Sequence, residues 1–387
     1  MLLRSITQLN RFSCLCLFFI ASLLLRCYTS SHAQTSKTTQ PESYYSLDDF
    51  KTVEKFDTHV HLNTTNPALI EQAAEDKFRL LTINVDAPTY PAIDDQQRLA
   101  NQHRKAFPNR LAYATTFSVE NWTSNDWSKQ AISYIKNSVA QGAIGVKVWK
   151  NVGMTLRDNT GKFVMVDNPR FDPLFDYLAK NKIPLLGHLG EPKNCWLPLD
   201  QMTVKSNRDY YTKHPEYHMY LHPEYPSYEA HIQARDRMLA KHPDLRFIGV
   251  HLASLEWSVD EIAKRLDRFP NMAIDMSARM AHLQYQAITD WQKVHDFLIK
   301  YQDRILYATD IAVDQTATSA DTRKRAHDTW LRDWRFLTSA DVMTVPSIEG
   351  SFKAMRLPRS VVDKLYSKNA QKWLLGITTL TKGAASR

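Results

Sequence analysis

Eight short apolar runs alternate with longer segments of helical period from residue 52 onward, and this alternation constrains the fold more than any other feature. The runs stay apolar on consecutive positions, which is typical of parallel strands covered on both faces. Eight strands that are each followed by a helix predict a closed (β/α)8 barrel. The predicted strands are 52–62, 79–86, 111–119, 143–149, 183–189, 246–252, 272–277 and 304–311.

An open, doubly wound α/β sheet is the alternative architecture. Sheets of that kind often carry a glycine-rich loop for a dinucleotide or a phosphate. This chain has ten glycines in 387 residues and neither fingerprint, which favours the barrel. A hydrophobic content of 43% and a charged content of 23% exclude a disordered chain.

The first 33 residues have the pattern of a secretory signal peptide. Two arginines accompany an apolar run at 12–25 that is short for a membrane span, and SHA at 31–33 predicts cleavage before Gln34. An uncleaved anchor is the alternative, and a lipoprotein is less favoured because an arginine precedes Cys27. We therefore expect a periplasmic or secreted protein with no stable membrane insertion after cleavage.

The remaining chain is divided by composition. We predict a flexible linker at 34–48, a barrel at 49–378 with a long insert at 191–228, and a C-terminal tail at 379–387. After cleavage Cys195 is the one cysteine of the barrel, so no internal disulfide is expected. The net charge of +8 is mild and no Lys/Arg block occurs, so nucleic acid is not an expected partner.

Polar residues interrupt the apolar runs at their carboxyl ends, the face on which barrels carry their functional residues. The first run ends in DTHVH at 57–61, and residues two apart on a strand point the same way. His59 and His61 can therefore share one cation. Two ordinary histidines are the alternative for this motif alone. Four further strand ends carry a ligand or proton-transfer side chain: Lys147, His188, His251 and Asp310.

These motifs resemble the amidohydrolase superfamily, and more closely the branch of amino-carboxymuconate-semialdehyde decarboxylase and related lactonases and hydrolases. The resemblance covers about residues 50–375. Its carriers are DTHVH at 57–61, GHLG at 187–190, VHL at 250–252, ATD at 308–310 and SKNA at 367–370. It implies a metal-dependent TIM-barrel enzyme and does not specify a substrate. Barrels of this branch often pair, which makes a homodimer an expectation.

The resemblance implies a divalent metal ion, zinc above all, held by His59, His61 and Asp310 with His188 as a further ligand. Such an ion lowers the pKa of bound water to about 7. Asp310 can take that proton and pass it on, while His251 polarises the substrate or moves a proton. Asp57 is a candidate to orient an imidazole.

Lys147 leaves the number of ions open. Two-metal amidohydrolases bridge their ions with a carbamylated lysine on strand four, whereas many relatives of the decarboxylase branch bind one ion and need no lysine there. A substrate clamp or an ordinary cation is the alternative for Lys147.

We also predict substrate contacts. Arg279 can hold a carboxylate in a bidentate contact, although an ion pair with Asp275 or another acid is an alternative. Glu191 and Trp196 open the insert, which we interpret as a lid over the site.

The function predicted first is hydrolysis of a small-molecule ester, lactone or amide by an exported metal-dependent enzyme. Non-oxidative decarboxylation of an aromatic or enol acid is the alternative, and a ligand-binding barrel is a third and less favoured interpretation. A serine hydrolase is not supported, because no Gly-x-Ser-x-Gly occurs.

Overall fold

The structure, a computed structural model, describes residues 43–378. The predicted signal peptide at 1–33, residues 34–42 of the predicted linker and the predicted tail at 379–387 lie outside the described residues.

Parallel strands follow one another around a single large sheet in chain order, which confirms the predicted (β/α)8 barrel. They are β1 (Lys55–Leu62), β2 (Phe78–Ile83), β3 (Leu111–Thr115), β4 (Ala143–Val148), β5 (Leu185–Gly187), β6 (Phe247–Gly249), β7 (Met272–Asp275), β8 (Ile305–Leu306) and β9 (Ile311–Val313).

The eighth barrel strand is divided in two, and its two halves close the sheet. β8 pairs with β7, whereas β9 pairs with β1. Between them the backbone N–H of Asp310 donates to the carbonyl of His59 at 2.8 Å, and that of Ala278 donates to Thr309 at 3.1 Å. The interruption places Asp310 at the mouth of the barrel, against the first strand.

Helices cover the outside of the barrel. They are α1 (Ala68–Glu75), α2 (Ile93–Ala106), α3 (Trp127–Ala140), α4 (Asp172–Lys180), α5 (Lys205–Lys213), α6 (Tyr228–Lys241), α7 (Val259–Arg268), α8 (Met280–Thr289), α9 (Trp291–Lys300), α10 (Ser319–Thr338), α11 (Arg359–Asp363) and α12 (Asn369–Trp373). A short antiparallel pair joins β10 (Val342–Met343) to β11 (Phe352–Lys353). Within 43–378, no helix combines the length and the apolar character needed to cross a bilayer.

Helix α7 illustrates how the sequence determines where a helix begins and which of its faces is buried. The Ser258 side chain caps the helix by accepting from the N–H of Glu261. Val259, Ile262 and Leu266 recur at helical spacing and are buried against the barrel core. Acidic residues lie in the first turn and arginines in the last, which complements the helix dipole.

The core has two parts, one on each side of the barrel wall. The larger part lies between the strands and the helices. The smaller part fills the barrel with one or two side chains from most strands, such as Phe56, Leu81, Leu186 and Ile248, and includes Trp373 of α12. Both cores are apolar, whereas His59, His61, Lys147 and Asp310 lie at or near the carboxyl ends of their strands.

The insert after the fifth strand consists of short turns around α5. The turns are the 3-10 helices Lys193–Trp196, Leu199–Gln201, Pro215–Tyr217 and Met219–Leu221. A small core of Met154, Cys195, Met202, Tyr211 and Met219 holds the segment together. Cys195 is a free, buried thiol within it.

Candidate metal centre

His61 is held at the end of β1 with one ring nitrogen committed. Its Nδ1 donates to the carbonyl of Ile83 on β2 at 2.7 Å. A neutral imidazole carries one N–H, so the Nε2 atom keeps its lone pair. That Nε2 atom lies 3.1 Å from Asp310 Oδ1.

His59 has the same arrangement with a different partner. Its Nδ1 donates to Asp275 Oδ2 at 2.9 Å, and its Nε2 lies 3.3 Å from Asp310 Oδ1. Lys147 Nζ also lies 3.3 Å from this Nε2 atom. Burial, followed by the charge of Lys147, lowers the pKa of His59, which favours the neutral ring with a lone pair on Nε2.

Asp310 is fixed where the two imidazoles converge. Its φ of 68° is in the left-handed region, which the bond from its N–H to the carbonyl of His59 supports. Burial opposes ionisation of this carboxyl. The interactions with His251, His59 and His61 outweigh burial and hold the pKa of Asp310 well below its usual range.

This donor set fits a divalent cation. Two imidazole nitrogens and a carboxylate oxygen with no proton between them repel one another, and a cation among them offsets that repulsion. Ligands about 2.0–2.1 Å from a tetrahedral zinc ion are roughly 3.3 Å apart, close to the two separations from Asp310 Oδ1. His59, His251 and Asp310 also offer ligand atoms within 4.8 Å of one another.

His251 lies beside these residues on an unusual turn. Residues 251–254 have φ values of 58°, 55°, 58° and 53°, a left-handed turn of four non-glycine residues. Arg235 and Tyr228 of α6 hold it by donating to its last two carbonyls. A Cβ on Gly249 would lie 2.5 Å from that of Ala253, so the turn requires glycine there.

The His251 ring has a defined tautomer. Its Nδ1 donates to the carbonyl of Ser277 at 2.9 Å, and the Ser277 hydroxyl donates to Asp275 Oδ1 at 2.5 Å. The Nε2 atom of His251 therefore keeps its lone pair. Burial lowers the pKa of His251 well below its usual range despite the opposing charge of Asp310.

His188 lies beside the group and contacts His251, since the centroids of the two rings are 4.2 Å apart. Its Nε2 atom is buried and has no hydrogen-bond partner. Burial, together with the neighbouring His251 ring and the charge of Lys150, lowers its pKa well below the usual range. An orphaned, neutral imidazole nitrogen beside the other ligands is consistent with a fourth ligand position.

Lys147 on β4 is 1% exposed and lies within the same group. Burial lowers the pKa of Lys147 to about 8, although Asp275 and Asp310 oppose the shift. The structure therefore brings His59, His61, His188, His251, Asp310 and Lys147 together at the barrel mouth, at the strand ends where the sequence placed them.

The three residues predicted to contact the substrate have different partners in the structure. Arg279 donates to the carbonyl of Ala278, and its buried Nε has no partner. Among residues 43–378 no carboxylate forms an ion pair with it, so the alternative pairing with Asp275 is wrong. Glu191 is paired with Lys150. Trp196 packs 5.7 Å from the rings of Tyr228 and His231 on α6.

Asp57 does not orient an imidazole, because the pairing of β1 with β2 is irregular between Asp57 and Val60. The Asp57 carboxylate instead accepts from the Thr309 hydroxyl at 2.6 Å and from Trp330 of α10 at 2.9 Å. Its contact with His59 is to the backbone N–H, at 3.3 Å.

Asp275, at the carboxyl end of β7, is the carboxylate that orients His59. It also accepts from the backbone N–H of His251 at 2.8 Å, so one side chain positions both imidazoles. The sequence signal was available, since Asp275 is an acidic residue near the carboxyl end of the seventh predicted run, 272–277. Glu256 was also missed: it is fully buried, and its Oε2 has no partner.

Comparison with known proteins identifies the class. A family model described as Amidohydrolase matches residues 56–375, and the chain therefore belongs to the amidohydrolase family. No curated protein matches the sequence.

Solved structures with the same fold include an uncharacterised TIM-barrel protein from Bordetella bronchiseptica. It is 16% identical, with a TM-score of 0.51 over 84% of this chain and 99% of that chain. A 2,6-dihydroxybenzoate decarboxylase from Rhizobium is 16% identical, with a TM-score of 0.48 over 83% and 98%. A Pseudomonas putida protein named for 2-pyrone-4,6-dicarboxylic acid hydrolase activity is 10% identical, with a TM-score of 0.45 over 84% and 98%. At 16% identity the likeness to the Bordetella protein concerns the fold alone.

Proposed function

We propose that this chain is an exported, metal-dependent hydrolase that cleaves an ester, lactone or amide bond of a small molecule. The observation that carries the proposal is the convergence of two imidazole Nε2 atoms on Asp310 Oδ1, with both Nδ1 atoms committed to other partners. His59, His61 and Asp310 would hold the ion, with His188 as a further ligand. Zinc is the ion we propose, since it favours nitrogen and carboxylate ligands.

A divalent cation, when bound, lowers the pKa of water to about 7. Asp310 supplies the base: its side chain is 29% exposed, and the neighbouring imidazoles keep it ionised. It can accept a proton from water and deliver it to the leaving group.

His251 complements Asp310 as a second proton acceptor. Its Nδ1 proton is committed to Ser277, and its lowered pKa keeps the Nε2 lone pair available. A neutral ring in this tautomer accepts a proton at Nε2 before it can donate one. The tautomer therefore favours proton transfer by His251 over direct donation to a substrate oxyanion.

Lys147 bears on the number of ions. A lysine with a pKa of about 8 has a larger neutral fraction near pH 7 than an ordinary lysine, and the neutral amine is the form that reacts with carbon dioxide. We propose a mononuclear site when Lys147 is a free amine, and two ions if it is carbamylated.

Arg279 is the substrate contact that we propose first. Its buried Nε lacks a partner, and a substrate carboxylate would supply one. The same observation favours the second candidate function, non-oxidative decarboxylation of an aromatic or enol acid, since such a substrate must carry a carboxylate. Glu191 and Trp196 would act through the insert, which we propose covers the site.

The test is a product assay on the zinc-loaded protein with a panel of small esters, lactones and amides and of aromatic acids. Release of a titratable acid supports hydrolysis, and release of carbon dioxide supports the second candidate. Asp310→Asn should abolish turnover, whereas Asp314→Asn, an exposed aspartate four residues further on, should retain it. Full activity of Asp310→Asn contradicts the proposal.

Export is tested separately. The full-length gene, expressed in a Gram-negative host, should yield periplasmic or secreted protein whose first residue is Gln34. Protein in the cytoplasm with residues 1–33 intact contradicts this part. The homodimer stays a prediction that analytical sedimentation can test.

A further inference from the structure

Tyr90, on the loop between β2 and α2, lies at the mouth of the barrel. Its ring packs on the core that fills the barrel and meets the His61 ring edge to face, with the two centroids 5.2 Å apart. His61 is one of the two imidazoles whose Nε2 atoms approach Asp310 Oδ1. The Tyr90 side chain therefore borders the point at which the proposed metal ligands converge.

The loop that carries Tyr90 is held in place by one buried side chain. Gln96 of α2 is 2% exposed and bonds to both flanks of the loop. Its Oε1 accepts from the N–H of Val85 at 2.9 Å, and its Nε2 donates to the carbonyls of Val85 at 2.8 Å and Pro91 at 2.6 Å. The N–H of Tyr90 itself donates to the carbonyl of Ala87 at 3.1 Å. These bonds present the tyrosine on a defined turn.

The Tyr90 hydroxyl is free to bind a ligand. Within residues 43–378 it forms no hydrogen bond, and it keeps accessible surface although the residue is partly buried. A phenol is protonated near neutral pH and can donate a hydrogen bond. Burial and the charge of Asp310 raise the pKa of Tyr90 further, so the hydroxyl keeps its proton.

The side chains around this hydroxyl are poorly placed to donate to a substrate. Three imidazoles commit their Nδ1 protons to protein acceptors and keep lone pairs on Nε2: those of His59, His61 and His251. The amine of Lys147 is buried and lies 3.3 Å from His59 Nε2. Tyr90 therefore adds to this group a neutral donor that a substrate can reach.

We propose that Tyr90 is a catalytic residue whose hydroxyl donates a hydrogen bond to the substrate oxygen that gains negative charge during the reaction. The inference rests on the proposed function. As the oxygen of water bonds to the carbonyl carbon, the π electron pair of the C=O bond moves onto the carbonyl oxygen. The pair returns when the bond to the leaving group breaks, and the leaving group takes the proton that Asp310 removed from water. Tyr90 stabilises the charge while it resides on the oxygen.

The first test compares the zinc-loaded parent protein with Tyr90→Phe on each compound of the panel that the parent hydrolyses. Phenylalanine keeps the ring that packs on His61 and removes only the hydroxyl. Loss of one such donor lowers kcat by roughly 100-fold or more. We expect KM to stay within threefold of the parent value and the zinc content to be unchanged. A kcat within threefold of the parent value, or loss of zinc from the variant, overturns the inference.

Tyr177→Phe is the matched control. Tyr177 is a partly buried tyrosine of α4 on the outside of the barrel, where its ring faces Lys136. This variant should keep the kinetics and the zinc content of the parent protein. A kcat reduced as far as that of Tyr90→Phe would show that loss of any tyrosine hydroxyl has this effect, and it would overturn the inference.

A binding measurement decides the inference if the parent protein hydrolyses none of the compounds, a result that counts against the proposed function alone. The zinc-loaded parent, Tyr90→Phe and Tyr177→Phe are titrated calorimetrically with acetohydroxamate, a small anion whose oxygens bind zinc and accept hydrogen bonds. We expect Tyr90→Phe to bind it at least tenfold more weakly than the parent, and Tyr177→Phe to match the parent. Equal affinities of the parent and Tyr90→Phe, or no binding to the parent, overturn the inference.

Discussion

Asp275→Asn should impair the metal centre without changing any of its proposed ligands. The Asp275 carboxylate accepts from His59 Nδ1 at 2.9 Å, from the N–H of His251 at 2.8 Å and from the Ser277 hydroxyl at 2.5 Å. An asparagine can keep the bonds to His251 and Ser277 through its oxygen, but it presents an NH2 group to His59. The favoured His59 tautomer then has its proton on Nε2, the atom that faces Asp310.

The expected size of the effect follows from these contacts. Replacing a partner that orients a histidine ligand typically weakens metal binding by 10- to 100-fold, which is about 1.4–2.7 kcal/mol. Loss of a charge-assisted hydrogen bond lowers the free energy of unfolding by about 1.5–3 kcal/mol.

Zinc affinity should be measured by competition with a chromophoric chelator, and stability by urea unfolding of the metal-free protein. Asp333→Asn is the control, because it removes another buried charge that lies outside the metal centre. Our reasoning is refuted if Asp275→Asn binds zinc within twofold of the parent protein.

Two further predictions concern pH and strain. Burial lowers the pKa of His231 to about 4, so the folded state takes up this proton less readily than the unfolded state, and stability should fall as the pH drops from 6.5 towards 4. His231→Gln should reduce the loss measured by urea unfolding between pH 6.5 and 5 by about 1.6 kcal/mol; an unchanged loss contradicts this assignment. Ala253→Gly should be nearly neutral, because relief of about 1–2 kcal/mol of left-handed strain offsets the lost methyl burial and the added backbone entropy. Ala326→Gly, at a buried position within α10, is the control and should lower the free energy of unfolding by about 2 kcal/mol. Both variants should be compared by thermal unfolding. Equal losses of stability would argue against strain at Ala253.

The barrel could be predicted because strands that are buried on both faces are recognisable in sequence as short runs rich in apolar residues. Strands such as β2 and β4 are mostly apolar and buried along nearly their whole length, and each is followed by a segment of helical period. The division of the eighth strand could not be predicted, since residues 304–311 read as one continuous run. It depends on pairing with strands that are distant in sequence, on opposite sides of the sheet.

The strand-end residues were predicted for a related reason. In a parallel barrel every strand ends on the same face, so His59, His188, His251 and Asp310 meet although they are far apart in sequence. The hydrogen-bond partners of these side chains depend on local backbone geometry. The alternation of side chains along an ideal strand does not describe that geometry. The irregular pairing in β1 directs Asp57 away from the imidazoles.

The assignment of Asp275 illustrates the same limit. From sequence it was considered as a partner for Arg279, yet its carboxylate lies between two imidazoles and the Ser277 hydroxyl. The left-handed turn at 251–254 was also beyond prediction, because none of its residues is a glycine.

The central claim, that His59, His61 and Asp310 form a metal site, is tested most directly by elemental analysis. The protein should be purified without chelators and without a histidine tag, alongside His59→Ala and Asp310→Ala. We expect about one divalent ion per chain, or two if Lys147 is carbamylated, and loss of that metal in both variants with the fold retained. A parent protein that stays free of metal after reconstitution with zinc or manganese, or variants that retain the full complement, would contradict the claim.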